Sequence, residues 1–206
     1  MIREHGAVAD DDLAGLTLRP LCEADEDEAR RTHEELAADG FEFLLGGWHS
    51  GRAWADHLVT VERERTGVDL PEDRVPATFL VAELDGQLVG RVSIRHRLND
   101  WLAAYGGHIG YGVRPAFRGR GIATELLRRS LDLAAELVEG DRVLLVCDDG
   151  NLASIRVIER CGGVLHGGSA DPESGEAQRH YLIDLPATPP AHPRSSEGEV
   201  QRGLPS

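Results

Sequence analysis

The stretch HIGYGVRPAFRGRGIATELL, residues 108–127, constrains the fold more than any other part of the chain. It joins a short strand to a turn at Pro115, then to a glycine-bearing loop, then to a helix that opens near Gly121. From there apolar residues recur at Ile122, Leu126, Leu133 and Leu137, flanked by Ala123, Leu127, Ala134 and Val138, and this 3.6-residue period predicts a helix over 121–138. A glycine-bearing turn that feeds a helix N-terminus offers unpaired backbone N–H groups and the positive end of a dipole to an anion. Arg118 and Arg120 add planar guanidinium forks suited to phosphate oxygens. Taken alone, these features describe either a di- or polyphosphate site or an ordinary turn. The chain contains no lysine, which excludes a Walker-type loop. Gly119-x-Gly121 is followed by Thr124 where a dinucleotide fingerprint needs glycine or alanine, which argues against an oxidoreductase.

The flanking sequence supplies the rest of a fold. LTLRPL at 16–21 reads as a first strand, 23–38 as an acidic helix, and 50–66 as a second helix capped by Ser50, with Trp54, Leu58 and Val61 along one face. ATFLVAEL and QLVGRVSIRHRL flank Asp85-Gly86, the turn dipeptide of a β-hairpin. HIGYGV at 108–113 is a further strand, and RVLLVC at 142–147 has the continuous apolar character of a strand covered on both faces. Asn151 is placed to cap a helix that runs to Cys161 and ends at Gly162-Gly163, and RHYLIDL at 179–185 reads as the closing strand. The order is an antiparallel meander followed by a β-α-β-α-β half. Residues 1–15 and 187–206 are poor in large apolar side chains and are expected to be mobile tails, which leaves one domain at 16–186.

Composition narrows the partners. Hydrophobic residues make up 41% and charged residues 28%, the balance of a water-soluble globular chain. No run approaches the roughly 18 apolar residues of a membrane span, and the N-terminus lacks a secretory pattern, so a cytoplasmic location is expected. Cys22, Cys147 and Cys161 show no metal or disulfide spacing, and the nine histidines show no compact ligand pattern, so no metal is expected. A formal charge of -14 disfavours nucleic acid and mildly favours a cationic substrate.

Arg118-x-x-Gly121-x-Ala123, placed between a strand and a helix, resembles the R/Q-x-x-G-x-G/A signature of the GNAT superfamily of N-acetyltransferases. Asn151-x-x-Ser154 resembles the second landmark of that superfamily, the start of the helix after the next strand. RHRLN at 95–99, GGHIGYGVRP at 106–115 and NLASIRVIERCGG at 151–163 are similar to a bacterial subgroup of acetyltransferases with unassigned substrate. The resemblance covers roughly residues 16–185. It implies an α/β (α+β) GNAT fold: a strongly bent, mostly antiparallel mixed sheet flanked by helices, whose fourth and fifth strands run parallel and splay apart. Acetyl-CoA is the implied co-substrate, with pantetheine lying in the splay. Main-chain groups of Tyr111, Gly112 and Val113 would bond pantetheine and the thioester carbonyl. Arg118, Gly119, Arg120, Gly121, Ile122, Ala123 and Thr124 would hold the pyrophosphate, and Asn151 and Ser154 would face the pantetheine arm from the other side. A main-chain N–H aimed at the thioester oxygen also serves as an oxyanion donor.

Direct transfer to a primary amine of a small molecule or protein needs a base for the amine and a proton for the leaving thiolate. His108 occupies the position at which histone-type members carry a glutamate base, and an imidazole suits that task. An inward strand histidine bonded to a backbone group is the structural alternative. For the acid, many relatives carry a tyrosine seven residues after the Asn of the second landmark, where this chain has Ile158. Tyr111, Tyr181, Ser154, Cys161 or a water are the candidates that remain. His96 and Asn99, beside Arg95, lie at a strand end where they could contact the acceptor, and the 40–75 insertion with Trp48 and Trp54, together with Trp101, could shape its pocket. A non-catalytic acyl-CoA-binding sensor is the alternative reading, and a homodimer is a reasonable expectation.

Overall fold

The computed structural model describes residues 13–187. The expected tails lie almost wholly outside the described residues. Strand β1 (Thr17–Arg19), helix α1 (Glu26–Ala37) and helix α2 (Trp54–Thr66) precede a hairpin of β2 (Ala77–Leu84) and β3 (Gln87–Arg95). Asp85 and Gly86 both take positive φ, 52° and 75°, as the two-residue turn demands. Strand β4 (Ile109–Val113), helix α3 (Ile122–Leu137), strand β5 (Arg142–Asp148), helix α4 (Leu152–Arg160) and strands β6 (Val164–Ala170) and β7 (Ala177–Asp184) complete the chain. Among the described residues no helix is long and apolar enough to cross a membrane.

The sheet is divided where the resemblance implied a splay. β1 to β4 form a four-stranded antiparallel sheet in sequence order, and β5, β7 and β6 form a three-stranded antiparallel sheet in that order. Among the described residues, β4 and β5 share a main-chain hydrogen bond only at their root, where the His108 N–H donates to the Leu144 carbonyl at 2.6 Å. Beyond it both strands run toward the same cavity, β4 delivering Tyr111 to Val113 and β5 leading to Asn151. β4 and β5 are therefore parallel and diverge from that junction.

Alternation along the strands puts two different layers on the two sides of the first sheet. Val92, Ile94, Ile109 and Val113 face α3 and join Ile122, Leu126, Leu127 and Leu131 in a dry core. Full burial of each such side chain contributes about 1.5–3 kcal/mol, enough to hold α3 across both sheets. On the other side Phe79 and Val81 pack with Phe43, Leu44, Trp54 and Val61 beneath α1 and α2. Arg91 and Ser93 also point to that side and are buried.

Several expectations need correction. The second helix begins at Trp54 with Ala53 at its N-cap, not at Ser50, because residues 49–53 are taken up by a turn whose Arg52 side chain bonds the Gly46 carbonyl at 2.7 Å. Trp54 itself is core, donating from Nε1 to the Cys22 carbonyl at 3.1 Å and meeting Trp48 edge-on. Trp101 is 56% exposed and stacks obliquely with Tyr105 in an irregular helical turn, Leu102–Gly106. β6 was not foreseen: VLHGGSA is short of apolar periodicity, its residues are almost all exposed, and pairing with β7 alone makes it a strand.

Candidate functional site

β4, α3 and α4 bound a cavity of about 650 Å³, closed on the far side by the segment after α1. Its walls begin with the main chain of β4. Arg95 N–H to His108 O and Arg114 N–H to Val89 O fix the ladder phase, so Gly110 and Gly112 bond β3 while Tyr111 and Val113 turn their N–H and C=O toward β5. Those outward groups have no ladder partner. Gly112 lies beneath the Phe41 ring, and a Cβ there would stand 2.3 Å from the ring carbon, so only glycine allows Phe41 to close the wall.

At the phosphate end, Gly121 is the N-cap of α3 in the left-handed region, φ 79°, a conformation that L side chains adopt at a penalty. The first intrahelical bond of α3 runs from the Glu125 N–H to the Gly121 carbonyl. The N–H groups of Ile122, Ala123 and Thr124 are thus left pointing out of the helix start. Arg118 Nε donates to the Val113 carbonyl at 3.0 Å, holding its guanidinium over the opening. Its Nη2 is ion-paired with Asp39 at 2.8 Å, with both side chains about half exposed. Arg156 and Arg160, one turn apart on α4, add positive charge to the same rim. In α4 the Asn151 side chain accepts from the Ser154 N–H at 3.0 Å, the cap that the sequence implied. Ser154 in turn accepts the Tyr111 hydroxyl on its carbonyl at 3.4 Å. Burial pushes the Tyr111 phenol well above its ordinary pKa, so it stays protonated and acts as a donor.

The structure brings Tyr111, Gly112, Val113, Arg118, Gly119, Gly121, Ile122, Ala123, Thr124, Asn151 and Ser154 to this one cavity. Arg120 is left out of the lining, its guanidinium standing 5.8 Å from the Phe117 ring centroid. His108 is at the junction of β4 and β5, not in the lining. Its ring Nδ1 accepts from the Leu144 N–H at 2.9 Å while its own N–H donates to the Leu144 carbonyl, so side chain and main chain clasp one residue of β5. With the Nδ1 lone pair engaged, the neutral ring carries its proton on Nε2. Burial lowers its pKa below the usual imidazole range. The expectation of a free imidazole base is amended accordingly. His96 and Asn99 are not brought to the cavity either. His96 Nε2 bonds Thr78 Oγ1 at 2.9 Å, and Asn99 is spent on a turn, donating to the Asp73 carbonyl and accepting from the Leu102 N–H, each at 2.9 Å.

Of the other acid candidates, Tyr181 is 1% exposed in the core with its hydroxyl on Glu159. The Cys161 thiol is raised by burial and donates to the Thr124 carbonyl at 3.6 Å. Ile158 is packed in the core at 1% exposure, so its position opens to no substrate. Leu36, Asp39, Phe41, Phe117, Arg156 and Arg160 line the cavity without having been anticipated. Arg156 and Arg160 carried a readable signal, a four-residue spacing on the helix that Asn151 caps; Leu36, Asp39 and Phe41 carried none, because nothing local ties the end of α1 to β4.

Comparison with known proteins gives consistent results. The domain described as "Acetyltransferase (GNAT) domain" matches residues 15–164. An acetyltransferase of Pectobacterium atrosepticum is 38% identical over 98 residues, which cover 44% of this chain and 58% of that protein. The chain thus aligns to a little over half the length of that relative. Mycobacterium smegmatis RimJ, solved with a CoA-disulfide, superposes with a TM-score of 0.61 at 21% identity, covering 82% of this chain and 81% of that one. The microcin C7 self-immunity acetyltransferase MccE, solved with acetyl-CoA and AMP, gives 0.59 at 20% identity over 84% and 93%.

Proposed function

The chain belongs to the GNAT acetyltransferase family, and from that premise we propose that it transfers an acetyl group from acetyl-CoA to the amine of an acceptor. The observation that carries this reading is the convergence of three separated segments, 111–113, 118–124 and 151–154, on one cavity. The α3 N-terminus, Arg118, Gly119 and Gly121 hold the pyrophosphate, with Ile122, Ala123 and Thr124 supplying main-chain donors. The outward N–H groups of Tyr111 and Val113 and the Tyr111 C=O bind pantetheine as a neighbouring strand would, while the Val113 C=O holds Arg118, and Asn151 and Ser154 flank the pantetheine from α4.

In the reaction the amine nitrogen attacks the thioester carbonyl, the C–S bond breaks, the nitrogen loses one proton and the CoA sulfur gains one. A β4 N–H on the carbonyl oxygen stabilises the charge that develops there. Tyr111, held protonated by burial and directed at Ser154, is a cavity-lining hydrogen-bond donor that can serve the departing thiolate. His108 acts by position: the clasp on Leu144 fixes where the splay begins and hence where the thioester rests.

Calorimetry with CoA, acetyl-CoA and NAD tests the coenzyme. Micromolar binding of both CoA species without NAD binding is expected, and no CoA binding refutes the reading. Thiol release from acetyl-CoA across an amine panel tests turnover; binding without thiol release from any amine would make the chain an acyl-CoA sensor. His108→Ala should lower turnover with CoA affinity nearly intact, and His108→Asn, whose Oδ1 can accept from Leu144, should recover part of it. A base role would instead leave both variants equally impaired and remove an acid limb from the pH profile.

A further inference from the structure

On the face of β3 turned toward α1 and α2, Arg91 and Arg95 flank Ser93, opposite Gly112 and Gly110 of β4 and the end of the clasp. Arg91 is 5% exposed. Its guanidinium lies 4.4 Å over the Phe41 ring, its Nη2 donates to the Glu42 carbonyl at 2.8 Å, its Nη1 to the Gly110 carbonyl at 3.3 Å, and its buried Nε has no partner. Arg95 gives Nη1 to the carbonyls of Gly106 and Gly107, both at 3.0 Å, and its Nε and Nη2 make no hydrogen bond among the described residues. Neither arginine has an ion-pair partner among the described residues, and Glu42, whose charge is felt at Arg91, makes no such pair. Buried charges are as a rule paired, because an unpaired one loses its hydration with nothing in return. Here two like charges share one face.

Resting on the coenzyme reading above, we infer that Arg95, backed by Arg91, binds a carboxylate of the acceptor, so that the acceptor is an amino acid or a peptide bearing a free carboxylate near its amine. The groups left free on Arg95 decide the chemistry. Nε–H and Nη2–H form the side-on edge of the guanidinium fork, which matches the two oxygens of one planar carboxylate. Their place fits the reaction, since Arg95 is close enough to His108 to depress its pKa and reaches the Gly106 and Gly107 carbonyls just before β4. An acceptor carboxylate there sets its amine toward the start of the splay.

This reverses what net charge suggests. A total of -14 favours cations approaching from a distance, but exposed charges beyond about 8–10 Å are screened at ordinary salt. Arg91 is buried and Arg95 is partly so, and at short range two such guanidiniums act with less screening and favour an anion over a polyamine.

The test is equilibrium binding of product-like pairs to the CoA-saturated full chain: N-acetylalanine, N-acetylmethionine and N-acetylphenylalanine, each against its carboxamide. The carboxylate member of at least one pair should bind about tenfold or more tightly, and Arg95→Met and Arg95→Gln should abolish the preference while CoA affinity stays at the wild-type value. Equal binding within every pair, or a preference that survives both Arg95 variants, overturns the inference. Failure of the wild type to bind CoA would instead strike the coenzyme reading, so the two failures are distinct. Turnover sharpens it: lysine should outperform cadaverine in kcat/KM, chiefly through KM, and the gap should close in Arg95→Met.

Discussion

On the α3 side of the four-stranded sheet, Val92, Ile94, Ile109 and Val113 lie in a mostly apolar core, and the polar groups there are bonded: Ser130 Oγ to the Leu126 carbonyl at 2.7 Å, Thr78 Oγ1 to His96 Nε2 at 2.9 Å and the Tyr111 hydroxyl to the Ser154 carbonyl at 3.4 Å. On the α1 and α2 side, the same strands bury Arg91 and Ser93, and the layer above them buries Asp25, Thr32 and His57. Every buried side-chain atom without a partner among the described residues lies there: Thr32 Oγ1, both ring nitrogens of His57, and Arg91 Nε. One face is built for stability. The other keeps buried polar groups without partners, and on that face the proposed carboxylate site stands.

The largest expected effect tests how much that second face gives up. His57 is fully buried between Trp48 and Trp54, and burial, together with Arg52, His33 and Arg30, pulls its pKa down to about 4. A folded-state pKa below the unfolded value of about 6.5 means the unfolded chain takes up the proton first. Stability should therefore fall by up to about 3 kcal/mol as pH drops from 6.5 towards 4. Denaturant titrations across that window measure it, and His57→Phe should flatten the slope; an unchanged slope would remove His57 from the comparison.

Gly112 is where the two faces touch. Gly112→Val forces the Phe41 ring from the cavity wall and should cost about 1–3 kcal/mol, with CoA affinity reduced tenfold or more by calorimetry. Intact affinity would show that Phe41 is not part of the coenzyme wall. Arg118→Ala should weaken CoA about tenfold, the loss of one charge-assisted bond of about 1.5 kcal/mol, without a change in thermal stability. The smallest effect carries the opposite sign. Asp39 competes for Arg118, and because an exposed pair contributes about 0.2–1 kcal/mol, Asp39→Asn should tighten CoA by only a few-fold, and less at high salt. Weaker binding in that variant would show that Asp39 organises the site rather than obstructing it.

Legibility in the sequence divides along the same line. The coenzyme side could be read because it is made of main chain, glycine and helix starts, whose spacing is local: Gly121 before Ile122, Asn151 before Ser154. The rest is assembled from residues far apart in the chain, Phe41 over Gly112 in the coenzyme wall and Arg95 beside Gly106 at the proposed acceptor site, and no local period announces such contacts. The sequence draws attention to His108, but its bond to the Leu144 N–H is illegible there, because only tertiary structure fixes how β5 aligns with β4. Ser50 failed as a cap because the preceding turn overrode a local preference, and β6 was missed because pairing, not composition, makes it a strand.

The clasp at His108 and Leu144 leaves the facing edges of β4 and β5 without a common ladder along the rest of their length. Their amides are then protected from solvent deuterium by the fold only at the root. A molecule that lies along both edges would complete the secondary structure as well as fill a space, so CoA should slow hydrogen exchange at Tyr111 and Val113 far more than at Gly110 and Gly112, whose hydrogen bonds are already made. In that sense the coenzyme is a removable strand: the core under α3 already joins the two half-sheets, and the coenzyme would add the hydrogen bonds that their diverging edges lack.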